Sequence, residues 1–310
     1  MTTPINNNDD KLALIKAFVE SALCLSFNEA AKTLALTPSS LSRRIKRLEE
    51  SLGSQLFVRT TRRMALTEAG EIYLPYAQRV LADLDEGDNA LASLNGHPSG
   101  VLRVNVPSAF GRICIAPAIP EFLRRFPNIQ LDIHYTDSMV DLISQRVDVA
   151  VRIGKPLDST LRQRQLAINE RFLVASPEYL NQSAPLNDPQ DLMHHSCLHF
   201  SHLEGMNYWQ LQSPAQEAIK VPINARLMAN DAQSLYEAAM AGSGVALLAD
   251  FLVHDALKSG RLVKVLPHWK IADTQICAVY PDTAHLAPKT RAFIDYLVTL
   301  FEPVPVWQRE

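Results

Sequence analysis

Cysteine is scarce: Cys24, Cys114, Cys197 and Cys277 are the only four in 310 residues, and no two form a C-x-x-C pair. That spacing argues against a disulfide framework and fits reduced thiols in a cytoplasmic protein. Long apolar runs are also missing. Nothing approaches the roughly 18 uncharged apolar residues that a membrane-spanning helix needs, so no membrane partner is expected. The stretch Met1 to Lys11 has no basic segment followed by an apolar core, which speaks against export. Net charge is nearly absent, at −3, and by itself points to no polyanionic partner.

The charge that is present is unevenly placed. Between Leu36 and Leu66 seven basic residues (Arg43, Arg44, Lys46, Arg47, Arg59, Arg62, Arg63) face two acids, Glu49 and Glu50. The remainder of the chain is therefore acidic. One cationic face on an acidic molecule is the footprint of nucleic-acid binding.

The first third reads as helices. Leu12, Ile15, Val19 and Ala22 recur at helical spacing over about 10–24. Ser26-Phe-Asn-Glu29 has the capping-box pattern and opens a short second helix. Thr37 is a good N-cap, and Pro38 occupies a first helical position, where its missing N–H costs little. The third helix places Leu41, Ile45, Leu48 and Leu52 on one stripe and leaves serines and basic residues on the rest. Gln55–Arg59, a polar tip and Met64–Leu66 then have the layout of a two-stranded wing. A long helix follows, with Ile72, Tyr76, Val80, Leu84, Leu91 and Leu94 as a stripe that needs a partner, and Pro75 inside it.

Asn95-Gly-His-Pro-Ser-Gly100 is a turn-rich break. Beyond it the pattern alternates. Val101–Val106, Leu131–Tyr135 and Val147–Ile153 read as strands, separated by helical stretches at Glu121–Arg125 and Val140–Arg146. Such alternation implies parallel sheets in an α/β domain. A last helix covers Lys289–Phe301.

A helix-turn-helix lays its second helix in the DNA major groove and reads base edges with that helix's N-terminal residues. Here those are Pro38, Ser39, Ser40, Ser42 and Arg43. Arg43 can pair bidentately with a guanine, and the proline ring can contact a thymine methyl. Arg44, Lys46, Arg47, Arg59, Arg62 and Arg63 are placed for phosphates.

The string Ser26-Phe-Asn-Glu-Ala-Ala-Lys-Thr-Leu…Thr37-Pro-Ser-Ser-Leu-Ser-Arg-Arg-Ile-Lys-Arg-Leu-Glu49 closely resembles the LysR-type bacterial transcriptional regulators. So does Leu52-Gly…Leu56-Phe-Val-Arg…Leu66-Thr-Glu-Ala-Gly70. The resemblance continues weakly through Gly100-Val-Leu-Arg-Val, Phe126-Pro-Asn-Ile, Asp148–Gly154 and Gly242–Leu248.

It implies a winged helix-turn-helix over 10–67 and a dimerising linker helix over 68–94. A hinge at 95–100 would lead to an effector-binding domain over 101–302. That domain would resemble a periplasmic solute-binding protein, with lobe I at about 101–167 and 272–302 and lobe II at about 168–271. The implied partners are an operator in double-stranded DNA, a small-molecule effector, and a second copy of the chain or a dimer of dimers. RNA polymerase joins them if the protein activates. No cofactor and no catalysis are implied.

The effector site can be argued from physics as well. Loops at the carboxyl ends of parallel strands face the ligand crevice, and helix N-termini there attract anions. Ser108 follows the first strand and can start a helix. Asn230-Asp-Ala-Gln233 looks like another start, with Asn230 as cap. These positions match those lining the family's effector cleft, as do Thr136, Asp137 and Ser138, Arg152, and Phe200 with His202. Two helix N-termini and an arginine suit a small organic carboxylate.

His194-His195-Ser-Cys197-Leu-His199-Phe-Ser-His202 gathers metal-binding residue types, but its spacing matches no established site. On a strand, Cys197 and His199 would share one face and Leu198 the other, so the reading assigns no metal. Gly242-Ser-Gly244 is expected between a helix and a strand, the reverse of a dinucleotide fingerprint. No P-loop, G-x-S-x-G elbow or H-E-x-x-H occurs. The reading from another class is a two-lobe small-molecule binding protein or enzyme without DNA function.

Overall fold

The structure, a computed structural model, describes residues 7–59, 64–94, 98–154, 161–203, 207–213, 216–282 and 286–309. Its contacts divide the chain into two units: residues 1–96 with 140–147, and residues 97–139 with 148–310. Arg62, Arg63 and the first half of the expected hinge, 95–97, lie outside the described residues, as do the side chains of Arg59, Leu91 and Leu94.

The first unit begins with α1 (Asn7–Cys24), α2 (Phe27–Thr33) and α3 (Pro38–Leu52). Phe18, Leu41, Ile45 and Leu48 are fully buried where these helices meet. Thr37 caps α3 by accepting the Ser40 N–H at 3.2 Å, and Gly53 ends it at φ +66°, a left-handed conformation that favours glycine. Only half of the expected capping box forms at α2. Ser26 accepts the Glu29 N–H at 3.4 Å, but the Glu29 carboxylate turns to Lys32 at 2.8 Å instead of reaching back.

The wing is β1 (Phe57–Arg59) antiparallel to β2 (Met64–Leu66). Glu49 fastens it to α3, its carboxylate accepting the N–H groups of Leu56 at 2.8 Å and Phe57 at 3.3 Å. The helix α4 (Glu68–Leu94) follows and keeps Pro75 within one continuous run. Its first turn approaches the wing so closely that a Cβ on Gly70 would sit 2.2 Å from the Leu56 carbonyl oxygen. Ala77 and Leu81 bury toward α1. Ile72, Tyr76, Val80 and Leu84 stand exposed on the other side.

Segment 140–146 was expected to be helical and is not: it forms turns, and Arg146 takes φ +53°. Seven residues of helical periodicity are too few to outweigh tertiary contacts. Its Ser144 carbonyl accepts from the Gln78 amide of α4 at 2.5 Å.

The second unit contains two five-stranded sheets. One has the order β4 (Ile129–Tyr135), β3 (Gly100–Val106), β5 (Val149–Ile153), β14 (Thr274–Pro281), β6 (Leu161–Asn169). The other runs β11 (Asn224–Ala229), β8 (Ser196–Phe200), β12 (Val245–Ala249), β7 (Arg171–Ala175), β13 (Val263–Lys264). The first three strands of each sheet are parallel, as alternating β and α segments require. The remaining strands are antiparallel because the chain crosses between the sheets, out at Glu170 and back between β13 and β14. A separate hairpin, β9 (Tyr208–Ser213) and β10 (Gln216–Pro222), accompanies the second sheet.

Short helices α5 (Ser108–Phe110) and α6 (Ile119–Arg125) belong to the first sheet's connections, and α10 (Pro288–Phe301) packs on β3 and β6. The second sheet carries α7 (Pro177–Gln182), α8 (Ala232–Met240) and α9 (Asp250–Lys258). One apolar core runs through both sheets, from Leu102, Phe122 and Leu297 to Leu198, Ala246 and Phe251. A second core forms around Trp209, Cys197 and Leu192. Leu198 and Cys197 thus face opposite cores, as strand alternation demands. Lys289 is buried at the head of α10, with Nζ 3.0 Å from Asp148 Oδ1 and donating to the Val101 carbonyl.

Candidate nucleic-acid interface and effector cleft

The N-terminal end of α3 presents Pro38, Ser39 and Arg43 to solvent, with Ser40 and Ser42 half-buried at their sides. Leu41, Ile45 and Leu48 anchor the opposite face. The hydroxyls of Thr37 and Ser39 are 3.1 Å apart, so the cap also orients the first serine of the exposed row. Arg44 is half-buried, and Lys46 and Arg47 are exposed further along. Lys46 lies 3.7 Å from Glu50, both exposed, a pairing weak enough for a phosphate to displace. A polar helix face backed by a rigid three-helix core is what a major-groove reader requires.

In the second unit the candidate residues gather at the carboxyl ends of parallel strands. Ser108 follows β3, Thr136, Asp137 and Ser138 follow β4, and Arg152 ends β5. On the other sheet, Phe200 ends β8 and His202 follows it, with ring centroids 5.3 Å apart. The Ser201 N–H donates to Ala229 O at 2.8 Å, which brings that loop beside Asn230.

Two expectations about this cleft need correction. Neither helix start is an empty anion seat. Asp137 Oδ2 accepts the Ser108 N–H at 3.3 Å. At α8 the cap is Asp231, not Asn230: Asp231 Oδ2 accepts the Ser234 N–H at 3.0 Å and its hydroxyl at 2.7 Å, while Asn230 is exposed outside the helix. Adjacent Asn and Asp are equally good caps, and only the backbone geometry selects between them.

The electrostatics then rest on two arginines. Arg152 donates through Nη1 to Asn105 Oδ1 at 2.6 Å, but its Nη2 is covered and has no partner among the described residues. Burial holds this guanidinium below its ordinary pKa. Arg112, which the sequence reading passed over, comes one helical turn after Ser108. It acts on Asp231, whose carboxyl is held below the usual range first by the Ser234 hydroxyl and also by this charge. The i to i+4 spacing from Ser108 was the available signal for it.

The histidine cluster is drawn into structure. Tyr179 Oη lies 3.1 Å from His195 Nδ1 and also accepts the Ser196 N–H at 3.0 Å. His199 Nδ1 accepts from Trp209. Burial pushes the Cys197 thiol up to about 12. No group of three metal-ligating side chains occurs among the described residues.

A helix-turn-helix with a wing, followed in the chain by a long helix and a two-sheet ligand-binding fold, defines a ligand-responsive DNA-binding regulator. Residues 12–71 match the family of bacterial regulatory helix-turn-helix proteins of the lysR type, and residues 95–302 match the LysR substrate binding domain. The chain belongs to the LysR family.

It is 38% identical over 281 residues to the HTH-type transcriptional regulator PtxR of Pseudomonas aeruginosa, covering 91% of this chain and 90% of that protein. The regulator CrgA of Neisseria meningitidis is 33% identical over 295 residues, covering 95% and 97%. A solved structure of CrgA from Neisseria meningitidis matches with a TM-score of 0.60 at 32% identity, over 93% of this chain and 97% of that one. A full-length AphB variant matches with a TM-score of 0.71 at 27% identity, over 93% and 98%. These relatives are named transcriptional regulators, and this chain is a transcriptional regulator, not an enzyme. No helix among the described residues is long and apolar enough to cross a membrane.

Proposed function

We propose that the chain works in the cytoplasm as a homodimer or a dimer of dimers that binds an operator through Pro38, Ser39, Ser40, Ser42 and Arg43. Arg44, Lys46, Arg47, Arg59, Arg62 and Arg63 grip phosphates. The exposed stripe Ile72, Tyr76, Val80 and Leu84 supports the dimer, because an apolar row of that length on a helix calls for a second surface. Two copies would present two α3 helices about one DNA turn or a multiple apart. RNA polymerase is a further partner if the regulator activates.

We further propose that the effector is a small organic carboxylate bound among Ser108, Thr136, Asp137, Ser138, Arg152, Phe200, His202 and Asn230. The observation that carries this is Arg152, a covered cation at the carboxyl end of β5 with one donor unpaired. A buried donor without an acceptor costs about 1–3 kcal/mol, which an incoming carboxylate would recover. The two aspartates at the helix starts narrow the choice to small anions that approach from the arginine side. A two-lobe binding protein or enzyme without DNA function is set aside by the match of residues 12–71.

The test is a panel of mono-, di- and hydroxycarboxylates, read as operator affinity in the unmodified protein and in Arg152→Leu. A carboxylate that changes operator affinity in the first and not in the second supports the site. A full response in Arg152→Leu and in Ser108→Trp would place the effector elsewhere. Operator affinity without any carboxylate should be unaltered in both variants.

A further inference from the structure

The two sheets of the ligand-binding unit are crossed by only two chain passages, an arrangement that in general permits one lobe to swing against the other. Here the apolar core shared by the two sheets is closed by an aromatic cluster to which the chain's last residues contribute. Phe110, at the end of α5, belongs to the first sheet and is fully buried. It stands edge-on to Phe251 of α9, with centroids 5.1 Å apart and planes at 82°, and α9 packs on β12 and β13 of the second sheet. Phe301, the last residue of α10, closes the cluster at 5.5 Å from Phe110.

Trp307 completes it. After α10 the chain turns back, and this indole lies 6.0 Å from Phe110, 6.0 Å from Phe251 and 5.8 Å from Phe301. Its Nε1–H donates to Asp250 Oδ2 at 3.0 Å, and the Gln308 amide donates to the same oxygen at 2.7 Å. Asp250 is buried at the start of α9, and its own N–H donates to the carbonyl of Glu170, the residue at which the chain passes from one sheet to the other. The tail therefore grips both sides of the boundary and the crossing between them.

We propose that residues 304–308 act as a bolt across the lobe boundary, holding the two sheets in fixed apposition through Trp307 and Asp250. Phe110 lies two residues beyond Ser108, so the bolt also fixes that side of the cleft. Trp307 and Asp250 are then positioning residues for the effector site. That last consequence rests on the effector reading above; the bolt itself does not.

Calorimetry of the full chain tests the bolt without any ligand. In the unmodified protein the ligand-binding unit should unfold in one transition, separate from that of the DNA-binding unit. Trp307→Ala, or a chain ending at Pro305, should split it into two, because each lobe then melts alone. Trp307→Phe keeps an aromatic plug and should keep one transition at lower temperature.

Phe122→Leu is the control for ordinary loss of packing. Phe122 is fully buried in the first lobe against Phe126, Phe293 and Tyr296, so its loss should lower the midpoint without splitting it. Should the truncated chain fail to fold, Gln308→Ala with Asp250→Asn should still raise amide exchange about tenfold at both 110–115 and 251–257. A single transition in Trp307→Ala, lowered just as in Phe122→Leu, would overturn the proposal. So would exchange that rises on one side of the boundary alone.

Discussion

The indole N–H of Trp209 donates to Nδ1 of His199 at 3.1 Å, and both side chains are buried. Because Nδ1 is the acceptor, the ring is neutral and carries its proton on Nε2, which has no acceptor among the described residues. Protonation would set a second N–H against the indole. Burial accordingly holds the His199 pKa below its ordinary value.

The sign of the resulting pH effect follows. The unfolded chain takes up the proton first, as pH falls through about 6.5, so His199 contributes stability above that value and loses it as pH falls toward the lower folded pKa. Urea midpoints measured from pH 8 to pH 5 should fall with acid for this unit. His199→Gln should show a shallower fall, and an unchanged slope would assign the effect to other groups.

Arg43→Ala should cost about 1–3 kcal/mol at the operator and relax base preference, since Arg43 is exposed near the N-terminal end of α3, the end proposed to enter the groove. Lys46→Ala should weaken specific and random duplexes alike and flatten the salt dependence. Binding isotherms on both duplexes at three salt concentrations separate the two. Equal losses for Arg43→Ala would make it a phosphate contact.

Val80→Glu should yield monomers, because Val80 lies in the middle of the exposed apolar row of α4 and a seam there would bury the added charge. Sedimentation at micromolar concentration reads the result. Helix content should not change, as Val80 contributes little to the core of its own chain.

Gly244→Ala should destabilise the ligand-binding unit by about 2–3 kcal/mol. Gly244 has φ +156°, and an added Cβ would lie 2.2 Å from the Ser196 carbonyl oxygen, so β8 and β12 would have to separate. Gly260→Ala is the comparison: its φ is +71° but the space is open, and about 1 kcal/mol is expected from backbone strain alone. Equal losses would mean that the close approach to Ser196 is relieved without cost.

How much of this was legible beforehand depends on the range of the interactions. The cap Thr37, the first-turn Pro38 and the stripe Leu41, Ile45 and Leu48 lie within one helix, and α3 formed over the residues they indicate. The split of Leu198 from Cys197 needed only strand alternation. Segment 140–146 was misread because its fate depends on contacts with distant residues, Gln78 among them. The acid at each helix start was visible as a residue but not as an occupant. That Asp137 turns toward Ser108, or that Arg112 acts on Asp231, is a matter of how strands far apart in the chain come to end side by side. Trp307 had no local signal at all.

Glu49 has a consequence for how an operator can vary. Its carboxylate takes two N–H groups at the start of the wing, so β1 leaves α3 at a set angle and distance. Helix and wing are two marks on one ruler. In the proposed dimer, the distance between half-sites is set by how two copies pair, and Glu49 has no part in it. Within one half-site the ruler is fixed: if α3 reads the groove and the wing grips flanking phosphates as proposed, a single inserted base pair should leave one of the two contacts out of register.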